Sequence, residues 1–400
     1  MLLENYKRAP VTFVAGDGCD LIDEHGERYL DCIGGIAVCA LGHAHPDITA
    51  AITEQAQKLV HASNLFGHEP SATLARELAL RSGFERVFFC NSGTEANEAA
   101  IKLARKFAHR RGEPQRKTIV SCEGGFHGRT MGALAATANA AYHEGFDPLP
   151  GGFRTTAFND VAALDAAIDE HVAAFIVEPV QGENGVLPAE RAFLEAAREL
   201  CSERGALLIF DEVQCGMGRT GPLFAYENAG VRPDVVTLAK ALANGLPIGA
   251  MLVREAFASG LQPGDHGSTF GGSPVPCAAA LAHLRVRDAI GLQSHVERMS
   301  GLLFGGLRSL SRRYPGVYGE PRGAGLLAGV PVEPALDAAS IVEHTRDVSH
   351  VLVNKAGGNT VRLAPPLIIS QTQVERALRA LDAAAAALED APARVACAQR

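Results

Sequence analysis

Ala206-Leu-Leu-Ile-Phe-Asp-Glu-Val-Gln214 runs from an unbroken apolar stretch straight into two acids. No polar residue alternates with the apolar ones, so a strand built from this stretch must be covered on both faces. Working outward, the same texture returns in Arg86-Val-Phe-Phe-Cys90, Thr118-Ile-Val-Ser-Cys122, Ala173-Ala-Phe-Ile-Val-Glu178 and Val235-Val-Thr-Leu238, with helical patterns between them. Doubly apolar strands separated by helices predict an α/β fold with a mainly parallel central sheet covered by helices. Ligands of such sheets gather at the carboxyl ends of the strands, which is where Asp211 falls.

The alternation extends from about residue 47 to 290. The first forty residues carry short apolar runs broken by Gly16, Gly18, Gly26 and Gly34-Gly35, the pattern of small antiparallel strands and turns. From about 291 the chain has helical stretches and the strand-like Thr360-Val-Arg-Leu, then an alanine-rich helix whose end is expected to fray after Pro392. The expected division is a large domain, 47–290, and a smaller α+β domain formed by 1–46 and 291–400. A chain of 400 residues with 47% hydrophobic content can fill both.

Composition excludes several function classes. A net charge of -8 offers no general attraction to nucleic acid or to an anionic membrane. No apolar run is long enough to span a bilayer and no leader pattern opens the chain, so a cytoplasmic protein acting on small metabolites is expected. The nine cysteines are scattered singly, as free thiols are in a reducing compartment. His43 and His45 lack the acidic or Cys-rich company of a metal site, and Pro46-Asp47 reads as a helix start, so no metal is expected.

Five segments carry chemistry, each with an ordinary alternative. In Cys90-Asn-Ser-Gly-Thr-Glu95 the amides of Gly93 and Thr94 open a helix and could face a phosphate, while Ser92 and Glu95 also make a capping box. Gly124-Gly-Phe-His-Gly-Arg-Thr130 presents Phe126, able to lie on a planar ring, and Arg129, able to grip a carboxylate, yet it is also simply a loop. Asp211 ends a buried strand, where it would pair with a pyridinium nitrogen, cap a helix or bind a metal. Lys240 in Thr237-Leu-Ala-Lys240 lies just past another strand, placed to lose solvent and become a Schiff-base amine rather than a surface charge. Ser268 and Thr269 lie among glycines, suited to an anion or to local backbone bonds. Together the five suit one planar, phosphorylated aldehyde.

These residues resemble the class III aminotransferases of the aspartate-aminotransferase-like fold, pyridoxal-phosphate fold type I, and among them the acetylornithine aminotransferases. The likeness runs from Tyr29-Leu-Asp-Cys-Ile-Gly-Gly-Ile-Ala to Val361-Arg-Leu-Ala-Pro-Pro-Leu and includes Asn91-Ser-Gly-Thr-Glu-Ala-Asn-Glu98, Phe126-His-Gly-Arg-Thr130, Glu178-Pro-Val-Gln-Gly-Glu183, Asp211-Glu-Val-Gln214, Leu238-Ala-Lys240 and His266-Gly-Ser-Thr269. The resemblance implies pyridoxal 5'-phosphate bonded to Lys240, with Asp211 on its ring nitrogen, Gly93 and Thr94 on its phosphate and Phe126 against its face. Glu212, Val213 and Gln214 would complete the cofactor pocket. It implies a homodimer in which Thr269 reaches the partner's phosphate and Ser268 lies near the substrate. Arg129 would take the α-carboxylate of an acylated ornithine. Glu183 would mask Arg362 while that substrate is bound and release it for 2-oxoglutarate or glutamate, in a reaction serving arginine biosynthesis.

The chain departs from the family pattern at Gly67-His68 and at Ser273 and Pro276, both near the substrate mouth the resemblance implies. Succinylornithine, ornithine and 4-aminobutyrate are the alternative substrates. A rival from another class is a dinucleotide oxidoreductase, because Gly216-Met-Gly218-Arg-Thr-Gly221 satisfies G-x-G-x-x-G after a strand. Pro222 and the short segment behind it leave no room for the helix that motif requires. A cofactor-free binding relative is disfavoured by the presence of both Lys240 and Asp211.

Overall fold

The computed structural model describes residues 2–398, with side chains up to residue 389. Its centre is a seven-stranded sheet whose spatial order is Arg86–Cys90, Gly249–Val253, Val235–Leu238, Leu207–Asp211, Val172–Val177, Thr118–Cys122, Phe153–Thr156. The Leu207–Asp211 strand pairs in parallel with both neighbours, Ile209 opposite Val235 on one side and Ile176 on the other. Only Gly249–Val253 runs antiparallel, to both Val235–Leu238 and Arg86–Cys90.

The absence of polar alternation in 206–210 is explained by where its side chains go. Leu207 and Ile209 join a cluster with Ala99, Leu103 and Met251, on the face covered by the Gly93–Arg110 helix. Leu208 and Phe210 face the opposite side, packed with Phe175, Phe193 and Ala197, the last two from the Arg191–Arg204 helix. Burying each such side chain contributes roughly 1.5–3 kcal/mol before the entropy of ordering is subtracted. Two strands are not apparent in the sequence pattern. Phe153-Arg-Thr-Thr156 is a half-exposed edge, and Gly249–Val253 begins on a glycine behind Gly245-Leu-Pro, a turn signal that hides a buried strand.

Besides a two-stranded pair, Val180–Gln181 with Leu187–Pro188, there are two four-stranded sheets. Phe13–Asp17, Asp20–Asp23 and Arg28–Asp31 form an antiparallel meander, and Val351–Leu352 adds in parallel to Arg28–Asp31. Arg322–Ala324, Leu327–Pro331, Thr360–Leu363 and Asn354–Ala356 form the other, whose Thr360–Leu363 strand carries Arg362.

The helix start read at Pro46-Asp47 is present: Pro46–Lys58 is helical and His45 Nδ1 accepts the Asp47 N–H. His43 instead pairs with Asp31 at 2.8 Å. Every cysteine whose side chain is described is a free thiol. The Gly216–Gly221 stretch forms a compact turn, closed by Gly218 N–H on Leu223 O, with only the short Tyr226–Ala229 helix behind it. No helix among the described residues is long and apolar enough to cross a membrane. The last helix runs Gln371–Ala398; the fraying expected after Pro392 lies, for residues 399 and 400, outside the described residues.

Candidate active site

The carboxyl ends of the parallel strands open into a cavity of about 420 Å³. Gly93, Thr94, Phe126, Arg129, Asp211, Val213, Gln214 and Lys240, which lie far apart in sequence, all line it. Lys240 and Asp211 therefore share one space rather than separate clefts.

Asp211 reaches the cavity floor because its strand is buried along its whole length. Its Oδ2 accepts from Asn97 Nδ2 at 2.7 Å and pairs with His127 Nδ1 at 2.8 Å, while Oδ1 accepts the Val213 N–H at 3.0 Å. Asn97 is locked in turn, receiving the Thr237 hydroxyl at 2.7 Å and donating to His127 O at 2.8 Å. These bonds offset the cost of burying a carboxylate and fix its direction.

Lys240 opens a single 3₁₀ turn at φ 44°, a left-handed conformation that costs a non-glycine residue on the order of 1–3 kcal/mol. Burial and the Arg362 charge hold its ammonium below the usual lysine range, against the upward pull of Glu183, Glu178 and Asp211. A lysine desolvated in this way presents a free amine at a more moderate pH than a surface lysine does.

The Gly93–Arg110 helix aims its first turn at the cavity. Ser92 Oγ accepts the Glu95 N–H at 3.3 Å, and Glu95 reaches back to the Asn91 N–H at 2.7 Å. Half of the capping box is thus present, with Glu95 reaching the residue before the cap instead of Ser92 itself, and the Gly93 and Thr94 amides have no hydrogen-bond partner among the described residues at the positive end of the helix. A Cβ on Gly93 would stand 2.6 Å from Val213 Cγ1, so the approach is closed to a larger residue without movement. Across the cavity the Arg129 guanidinium stacks on Tyr142 at 3.7 Å and lies 5.6 Å from the Phe126 ring centroid.

Arg362, almost fully buried, donates through Nη1 to Glu183 Oε1 at 2.7 Å, to Gly182 O at 2.8 Å and to Gln214 Oε1 at 3.1 Å. Gln214 Nε2 adds a bond to Glu183 Oε1 at 2.9 Å. Burial pushes the Glu183 carboxyl up, but Arg362 and Lys240 outweigh it and hold the group below the usual glutamate range. The pair read from sequence is therefore formed and ionised, with its arginine masked.

Glu183 and Arg362 adjoin the cavity through Gln214 without lining it, and three further sequence candidates stand elsewhere. Glu212 does not line the cavity: its carboxylate accepts the Ala225 and Tyr226 N–H groups at 2.6 and 2.7 Å, a local cap on the opposite side of the strand end. Ser268 and Thr269 line a separate surface cavity with Glu95, Glu98 and Thr130, where Ser268 Oγ receives the Gly271 N–H. Conversely, His127, Asn97 and Glu178 belong to the site, although the sequence pattern assigns them no role. Asn97 lies one helical turn beyond Gly93 and so shares its face. Glu178 ends a strand as Asp211 does, a signal the sequence already carries.

A planar, phosphorylated pyridine aldehyde fits the residues present. Unused amides at a helix N-terminus suit the phosphate and the buried Asp211 carboxylate suits the ring nitrogen. Phe126 supplies a flat face, and Lys240 supplies an amine with no hydrogen-bond partner among the described residues.

A family model described as aminotransferase class-III matches residues 2–385. An acetylornithine aminotransferase of Thermosynechococcus vestitus is 46% identical over 396 residues, spanning 97% of this chain and 96% of that protein. One from Xylella fastidiosa is 48% identical over 95% of this chain and 93% of its own. Among solved structures, N-acetylornithine aminotransferase from Stenotrophomonas maltophilia superposes with a TM-score of 0.85 at 40% identity, covering 96% of this chain and 98% of that one. Ornithine aminotransferase from Toxoplasma gondii gives 0.93 at 35% identity, covering 97% and 93%. Backbone overlap is thus no lower with the relative of lower identity, so the course of the chain does not separate these two substrates.

Proposed function

The chain belongs to the class III aminotransferases, and from that premise we propose that it moves the terminal amino group of N2-acetyl-L-ornithine to 2-oxoglutarate, yielding N-acetyl-L-glutamate 5-semialdehyde and L-glutamate. The observation that carries the reading is the meeting of Lys240 and Asp211 in one cavity, whose Gln214 is bonded to the masked Arg362. Substrate identity is supported by the acetylornithine aminotransferases at 46–48% identity over nearly the whole chain. The setting proposed is arginine biosynthesis in the cytoplasm.

Pyridoxal 5'-phosphate supplies, when bound, an aldehyde that takes up the amine and a protonated ring that accepts electron density. Lys240 would hold it, yield its place to the substrate amine and then move a proton at the reacting carbon. Asp211, aimed by Asn97 and His127, would keep the ring nitrogen protonated. Gly93 and Thr94 amides would hold the phosphate, Phe126 and Val213 would sandwich the ring, and Gln214 would face its oxygen edge. Arg129 would grip the α-carboxylate of the acylated substrate. Glu183 would cover Arg362 during that half and uncover it for the second carboxylate of 2-oxoglutarate. In the proposed homodimer, Ser268 and Thr269 serve the partner's cavity rather than their own, consistent with their placement in a separate surface hollow. The division into 47–290 and 1–46 with 291–400 is part of the same reading, supported by the pairing of Arg28–Asp31 with Val351–Leu352.

Rates with acetylornithine, succinylornithine, ornithine and 4-aminobutyrate test the substrate. A tenfold preference for either unacylated amine, about 1.4 kcal/mol in transition-state binding, overturns the assignment. Lys240→Ala is expected to lose the borohydride-sensitive visible absorption and to slow turnover by roughly 10⁴-fold, the upper range for a proton-transfer group. An unchanged spectrum in that variant defeats the role given to Lys240.

A further inference from the structure

Glu178 has no part in the proposed reaction steps, yet it occupies a junction. The wholly buried Val172–Val177 strand delivers it into the cavity wall, where it is only 5% exposed. Its two oxygens are divided between two loops. Oε1 accepts the Phe126 N–H at 2.9 Å, and Oε2 accepts the Gly182 N–H at 3.2 Å. Gly182 is no passive neighbour: its carbonyl takes Arg362 Nη1 at 2.8 Å, and the next residue is Glu183. A Cβ at Gly182 would come within 2.0 Å of Gln214 Oε1, so this stretch of backbone is pinned against the arginine's other acceptor. One carboxylate therefore ties the loop presenting Phe126 to the loop that carries Glu183.

We propose that Glu178 is a positioning residue that anchors the Gly182 pivot to Phe126, so that Arg362 keeps its place when Glu183 swings away for the dicarboxylate substrate. The inference rests on the proposed two-substrate reaction. Its consequence is asymmetric. The acylated ornithine is handled with Arg362 covered and needs no pivot, whereas 2-oxoglutarate depends on an arginine whose carbonyl support at Gly182 must not move with the glutamate. Removing the anchor should therefore penalise 2-oxoglutarate more than the acylated ornithine.

The groups facing Glu178 give a second readout. Burial and the Asp211 charge push its carboxyl up to about 7 against the opposing pull of His127, and Lys240 and the thiols of Cys122 and Cys215 also lie within its field. A proton on the carboxyl occupies one of the two acceptors, so the anchor weakens as pH falls through this range.

In the holoenzyme, Glu178→Gln keeps the size but offers an amide where one N–H needs an acceptor. The expected result is a loss on 2-oxoglutarate, read as a raised KM, at least about fivefold larger than any loss in the acetylornithine half-reaction, since the Phe126 side of the anchor is common to both halves. Equal losses in both halves, or no change in either, overturn the proposal. Should the variant not fold, the wild type decides. Its KM for 2-oxoglutarate should rise as pH falls from about 8 to about 6, and a flat KM there overturns the anchor. Retention of the acetylornithine half-reaction separates failure of this inference from failure of the functional reading, which an inactive wild type would signal instead.

Discussion

Asp211 illustrates how a single residue is made useful by the groups that restrain it. Asn97 and His127 converge on one oxygen and the Val213 N–H holds the other, so the carboxylate has neither rotational freedom nor an unbonded oxygen. Asp211→Asn would place an amide against the Val213 N–H and remove the charge, and turnover should fall by about 10²–10⁴-fold, checked by steady-state rates at saturating cofactor. His43 carries a different prediction. The Asp31 carboxylate at 2.8 Å, helped by Cys39, pushes its imidazole up to about 9, above the ordinary value of about 6.5. A raised pKa means the pair's stabilisation is complete below the unfolded value and is lost as pH climbs through the folded one. The thermal stability of the wild type should therefore fall between about pH 6.5 and about pH 9, by about 1 kcal/mol or less given partial solvent screening. The loss should be smaller in His43→Gln; identical curves for both proteins count against the pair.

At the scale of elements, the Gly93–Arg110 helix does two jobs with one turn. Its Ser92–Glu95–Asn91 cap stabilises the helix, and because the cap consumes the third amide it leaves the first two directed at the cavity. The two readings of this segment, cradle and capping box, are therefore complementary. Ser92→Ala should cost about 1 kcal/mol of stability, read as a lower denaturation midpoint with an unchanged slope. Gly93→Ala should weaken cofactor retention on dialysis by more than Ser92→Ala does, since its Cβ would displace Val213 at the cavity wall. If both variants lose the cofactor equally, the cap and the cradle are a single device rather than two.

For the whole molecule, the apolar surface makes the assembly prediction. Leu65, Phe66 and Phe270 are 86%, 70% and 63% exposed, and Asn64 ties their neighbourhood to the Ser268–Gly271 turn through bonds to Ser268 O and Gly271 O. Large exposed apolar side chains gathered beside one turn mark an interaction surface. Sedimentation should find a dimer at assay concentrations, and Phe66→Asp with Phe270→Asp should lower both the dimer fraction and activity together. A fully active monomer would refute shared active sites.

The parallel sheet, the strand-end acid and the strand-end lysine were legible in the chain because unbroken apolar runs admit only strands covered on both faces, and such strands bring the residues at their carboxyl ends to one edge of the sheet. The linear pattern was silent on the antiparallel Gly249–Val253 insertion, on the buried turn of Glu212 away from the cavity, on the bonding of His127 and Asn97 to Asp211 and on the place of Glu178 in the same cavity wall. Those were settled in three dimensions, since alternation along a strand records only whether a side chain is covered. Which partner covers it depends on residues far away in sequence, brought within hydrogen-bonding distance by the packing of the layers.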